Sequence, residues 1–226
     1  MELVVAIAVA AVVSLLAWPT MRAAMTKTKM TRTMNNAREF YLAGFHMATD
    51  GAAKSDANAA WPGDYSSSRL ADYCGKLVQN NYLKATELER ILSALGANCT
   101  VTSTGGAASK VTLAGDSALK IYRVKGADPS NTIFSASANY VYDTPLRQAA
   151  IPFGDTGFVV VRKSGDAGLY RPAQATPAGF DNNAGRFQAE MGALPGAEKG
   201  SVTPGDGAMA LTGPESELLP TRILRR

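Results

Sequence analysis

The sequence predicts an α+β protein in which one long N-terminal helix lies across a small antiparallel sheet. Three observations carry this. The chain opens on an apolar run, MELVVAIAVAAVVSLLAWPT, that passes directly into a helical-period stripe. After Thr100 the period changes to short, β-branched segments separated by Gly, Asp, Pro and Ser. Past Ser164 long apolar periodicity fades, so the core is expected between about Asn35 and Lys163, within the usual domain size of about 100–150 residues.

From Leu3 to Trp18 the one polar residue is Ser14. At 1.5 Å per residue this is about 24 Å of apolar helix, slightly short of a ~30 Å hydrocarbon core. Met1 and Glu2 place no cation before the run, and Pro19-Thr20-Met21-Arg22 is a poor cleavage context. The run is therefore expected to be retained rather than removed as a signal peptide. Arg22, Lys27, Lys29, Arg32 and Arg38 follow with no acid among them. Such a basic run suits anionic headgroups or a solvated helix face.

Met30, Met34, Ala37, Tyr41, Phe45 and Ala48 recur at steps of three and four, one stripe of an amphipathic helix. A helix from Leu3 to about Thr49 has some ~70 Å of rise and must lie against something. Asp50-Gly51 is expected to end it. Ser67 or Ser68 is placed as the cap of a short helix carrying Leu70, Tyr73, Leu77 and Val78. Thr86 and Glu89 have capping-box spacing before a second, with Gly96 as its terminator. Cys74, within the first of these helices, and Cys99, after the second, would tie the two together. With a membrane-targeting start the leading reading is a disulfide between them; two free buried thiols are the other.

Lys110–Leu113, Ala118–Val124, Thr132–Val141 and Gly157–Lys163 read as four strands. The organisation expected is 1–20 as a transmembrane or filament-core helix, 21–50 as its amphipathic continuation, 51–163 as a globular head, and 164–226 as a Gly/Pro/Ala-rich, largely irregular tail.

Glu2-Leu3-Val4-Val5-Ala6-Ile7, the apolar run and Pro19 together resemble the type IV pilin superfamily, and within it the G-like pseudopilins of type II secretion. Asn35-Asn36-Ala37-Arg38, Trp61-Pro62 and the stretch Pro152 to Val160 are similar to that group more loosely. The basic leader, the cleavage-site glycine and the first three mature residues of the family pattern are not present, so the sequence is read as truncated, started at the wrong methionine, or unprocessed. The resemblance implies a filament subunit, N-terminally methylated after processing. It gives Glu2 the role of neutralising a neighbouring subunit's terminal amine and Pro19 that of kinking the helix. A carboxylate in an apolar layer is costly and seeks such a cation. The partners implied are copies of itself, other pilins or pseudopilins, the inner membrane and the assembly machinery. The expected location is the bacterial inner membrane, single-pass with the head in the periplasm, or the cell surface in a filament.

Nothing in the sequence assembles a catalytic site. The single histidine, His46, is expected on the face of the long helix, and two cysteines with one histidine are a poor zinc set. The chain is read as a non-enzyme without cofactor, and its formal charge of +4 does not suggest a nucleic-acid partner. The family implies one metal possibility, calcium, for which Asp155 and Asp181 are weak candidates, with Asp166, Asn182 and Asn183 nearby. Solvated turns explain these residues better. The functional expectation is a structural subunit of a type IV pilus-like or type II secretion pseudopilus filament. The alternative is a membrane-anchored extracytoplasmic binding or adhesion protein with a pilin-like head that does not polymerise.

Overall fold

The computed structural model describes residues 2–65, 69–104 and 110–213, with side chains from Ala24 onward. It is α+β, with a long N-terminal helix and a small antiparallel sheet. Helix α1 runs Glu2–Lys54, 53 residues, or about 80 Å of rise. The side chains of Glu2 and Pro19, and any kink at Pro19, lie outside the described residues.

The buried stripe of α1 begins at Met30 and continues through Thr33, Ala37, Phe40, Tyr41, Gly44, Met47 and Ala48. It is wider than the expected stripe and excludes Phe45, which is 41% exposed. An α-helix turns 100° per residue, so Phe45 falls just beyond the face that Phe40, Tyr41 and Gly44 set against the sheet. The helix also passes Gly51, which is not its terminator. A Cβ at Gly51 would stand 1.6 Å from the Ala59 carbonyl oxygen, so glycine is needed there for close approach of the returning loop. Reversal comes at Ser55, with φ of 55°.

Helices α2 (Leu70–Gln79) and α3 (Ala85–Leu92) form where expected. Ser67 and Ser68 lie outside the described residues, and Arg69 occupies the N-cap position of α2. For α3 the capping box is two residues earlier than expected. Lys84 is the N-cap, and the Glu87 carboxylate accepts its backbone N–H at 2.8 Å. Glu89 is thereby freed to accept the Val101 N–H at 3.2 Å. Gly96, with φ of 80°, turns the chain after α3 rather than ending it.

Strands β1 (Cys99–Thr104) and β2 (Lys110–Gly115) pair as a separate two-stranded hairpin, so the Lys110 segment does not join the main sheet. The main sheet has five antiparallel strands in the order β6-β5-β4-β3-β7, comprising β3 (Leu119–Tyr122), β4 (Ile133–Ser137), β5 (Phe158–Arg162), β6 (Ala167–Tyr170) and β7 (Ala210–Leu211). Every residue of β3 and β4 is buried. Continuous burial along a strand requires cover on both faces. Helix α1 packs on β4, β5 and β6. On β3, Lys120 and Tyr122 share a face, as alternate residues must, and both reach Asp206 of the tail. The tail is therefore the second cover.

This changes the reading of 164–226. That stretch holds β6, two 3-10 turns at Pro172–Ala175 and Pro177–Phe180, helix α4 (Ala184–Met191) and β7. Ala175, Phe180, Phe187, Met191 and Leu211 are buried in the core. Phe187 meets Tyr142 with ring centroids 5.3 Å apart and Phe180 at 5.6 Å. A few well-spaced aromatics bury area that no long periodic pattern advertises. Residues 214–226 lie outside the described residues.

Among the described residues no helix is long and apolar enough to cross a membrane. This overturns the expected single-pass location in the bacterial inner membrane. The described part of α1 is amphipathic, with Lys27, Lys29, Arg32 and Arg38 all exposed.

Candidate assembly surface

Helix α1 offers the most distinctive surface of the molecule. From Ala24 to Lys29 its side chains are exposed or half-exposed, with Met25 58% exposed, and burial against the head starts at Met30. The helix thus reaches beyond the head in its N-terminal direction. Over the head it keeps an outward face on which Leu42 (49% exposed) and Phe45 sit beside Arg38, His46 and Thr49.

That face is rigidly backed. Phe45 stacks on Tyr41 at 6.0 Å and meets Trp61 at 6.2 Å, while Tyr41 meets Phe134 edge-on at 5.5 Å. The Tyr41 hydroxyl donates to the Lys163 carbonyl at 2.6 Å, and burial raises its pKa above the ordinary value. On the far side Asn36 is buried and exchanges two hydrogen bonds with α3. Its amide donates to the Arg90 carbonyl at 3.1 Å, and its side-chain oxygen accepts from the Arg90 guanidinium at 3.1 Å. Arg90 also reaches Glu39 at 2.5 Å. A polar helix residue with both capacities filled fixes rotation about the helix axis as well as depth. A shallow cleft of about 390 Å³, lined by Ala48, Gly51, Trp61, Asp64 and Gly126, lies at the C-terminal end of α1.

The residues singled out in the sequence fare unequally. Cys74 and Cys99 are both free and buried, not joined as the leading expectation had it. Cys74 faces inward on α2 and Cys99 opens β1, each filling a small apolar site as buried cysteines do. Burial pushes the Cys99 thiol up to about 11 and the Cys74 thiol higher still. His46 is exposed on α1, beside the Phe45 ring at 6.1 Å.

The calcium candidates are structural. Asp181 and Asn182 adopt left-handed backbone, with φ of 57° and 56°, and Asn183 caps α4 by accepting the Arg186 N–H at 2.9 Å. Asp and Asn tolerate that conformation and cap helices well. Asp181 is paired with Arg186 at 3.0 Å. Asp155 is exposed in the turn before β5. Among the described residues no three of His, Cys, Asp and Glu converge as a metal site would need.

One constellation escaped the sequence reading. Lys120, with a side chain 3% exposed, donates to the Asp206 carboxylate and to the Tyr140 carbonyl. The other carboxylate oxygen of Asp206 accepts the Tyr122 hydroxyl at 2.7 Å and the Tyr142 N–H at 3.1 Å. Desolvation lowers the Lys120 pKa and raises that of Tyr122 well above normal. The available signal was a lysine between Leu119 and Ile121 in an otherwise buried strand; its partner lies 86 residues on.

Set against known proteins, the chain matches no family model, no curated protein and no solved structure.

Proposed function

We propose that the chain is a structural subunit of a type IV pilus-like or type II secretion pseudopilus filament, with the N-terminal helices of successive copies packed side by side. The observation that carries this reading is the division of labour along α1. Its C-terminal half is built into the head from Met30, whereas the side chains of residues 24–29 just before it are exposed or half-exposed. A helix of this length is rare without a partner, because packing of a face supplies most helix stability. The pilin-like opening, Glu2 with the apolar run and Pro19, supplies the second support.

In the filament, Leu42 and Phe45 meet a neighbouring copy, and the basic collar of Lys27, Lys29, Arg32 and Arg38 sets the salt sensitivity of assembly. Copies of the chain, other pilins and an assembly machinery are the partners.

The test is electron microscopy of sheared filaments from the source cells, with antibody labelling against the head and mass spectrometry of the recovered N-terminus. Labelled filaments whose subunit loses incorporation in the Glu2→Ala variant, with its cellular level unchanged, are the expected result. Normal incorporation of that variant, or protein recovered only as monomers that bind a surface, would leave the non-polymerising adhesion reading in its place.

A further inference from the structure

Beyond the filament reading, and independent of it, we propose that the tail is covalently fastened to the sheet by an intramolecular amide between the Lys120 side-chain nitrogen and the Asp206 side-chain carbonyl carbon.

The reacting groups are already in place. Lys120 Nζ contacts Asp206 Oδ2 in a site from which water is excluded, the two side chains being 3% and 14% exposed. Holding amine and acid together in this way replaces a bimolecular encounter by a positioned one, worth effective concentrations of about 10⁵–10⁸ M in well-oriented cases. The ion pair and the neutral pair of amine and carboxylic acid differ only by one proton moved between them. Burial disfavours the charged form of the amine, because an ammonium taken out of water loses its hydration. Desolvation acts on Lys120 in that direction.

The carboxyl is also polarised for attack. Oδ1 accepts from the Tyr122 hydroxyl at 2.7 Å and from the Tyr142 backbone N–H at 3.1 Å. Two fixed donors on one oxygen form the arrangement that stabilises a developing oxyanion. Tyr122 keeps its proton, since burial beside Asp206 raises its pKa strongly.

The step balances without oxidant or cofactor. Nζ passes one proton to the Oδ2 that it contacts, and its freed lone pair forms a bond to Cγ, placing negative charge on Oδ1 between its two donors. The Cγ–Oδ2 bond then breaks, and Oδ2 leaves as water with its own proton and one from nitrogen. The remaining amide N–H still donates to the Tyr140 carbonyl, the contact Lys120 already makes. The amide oxygen keeps both donors, so the product buries no unsatisfied group.

Intact mass spectrometry of the full chain under denaturing conditions, followed by a tryptic map, tests this. The expected mass is one water below that of the sequence, with no cleavage after Lys120 and a branched peptide containing both residues. Lys120→Arg should restore the full sequence mass. Asp206→Asn should close with loss of ammonia and reach the same linked mass. Full sequence mass in the wild-type chain, with Lys120 open to trypsin, would show a buried ion pair only and overturn the proposal. A loss of water that persists in Lys120→Arg and is cleaved by hydroxylamine would overturn it too, assigning the loss to a cyclic imide at Asp206-Gly207. If Lys120→Arg does not fold, the wild-type tryptic map decides alone.

Discussion

Two elements are fastened to the central sheet by opposite means. Helix α1 is held by a broad apolar seam, in which Ala37, Phe40, Tyr41 and Met47 share the load with Phe134 and Tyr73. The tail is held at one point where the Lys120 amine, the Tyr122 hydroxyl and the Tyr142 backbone N–H converge on Asp206. Apolar burial is non-directional and additive over many atoms, so no single contact decides it. A buried polar node is directional, and removing one member strands the rest. The seam therefore tolerates substitution of similar volume, while the node does not.

The sharpest break of this contrast is Asp206→Ala. It leaves the Lys120 amine buried with only the Tyr140 carbonyl, and should cost about 3–5 kcal/mol in chemical denaturation. A loss below about 1 kcal/mol would mean that Lys120 escapes to water and that the node is no anchor. At the seam, Met47→Ala should cost about 2–5 kcal/mol and Met47→Leu less than about 1.5 kcal/mol. Equal costs for the two would show that the seam is as exacting as the node.

The buried thiols extend the comparison to the hairpin. The Cys99 thiol ionises near its ordinary value of 9.0 when unfolded and near about 11 when folded. The folded chain holds its proton longer, so this contribution to stability is complete below pH 9 and is lost as the pH rises through 11. A thiol reagent at pH 8 should find no reactive cysteine in the native chain and both after denaturation; prompt labelling of the native chain would contradict the burial. The smallest effect on stability is expected on the outward face of α1. Phe45→Ser should change the unfolding free energy by within about 0.5 kcal/mol, yet on the filament proposal it should sharply reduce incorporation into filaments. Filaments unaffected by this change would remove Phe45 from the interface.

How much of this was legible varies with the range of the contacts. The long helix could be read because its signal is local: apolar spacing repeats from Met30 to Ala48. Its exact buried edge could not, since Phe45 and Phe40 differ in which neighbour the sheet presents and not in hydrophobicity. Three strands of the main sheet were legible from β-branched runs, whereas β7 is two residues long and becomes a strand only by pairing with β3. The capping box of α3 was misplaced by two residues because Thr86 and Lys84 both have a glutamate three positions on, and Lys84 lacks a capping side chain. The assembly roles proposed for Glu2 and Pro19 rest on a family pattern alone, and their side chains lie outside the described residues.

The sequence by itself determined the α+β class and the amphipathic long helix, because composition and short-range periodicity encode them. Only the tertiary structure decided that the hairpin stands apart from the sheet, that Cys74 and Cys99 are two free core thiols, and that the Gly/Pro-rich tail is a packed layer. The physical reason is sequence distance. Lys120 is a poor strand residue and Asp206 an ordinary turn residue until the fold brings them together, and the free energy that makes them an anchor belongs to their pairing rather than to either residue.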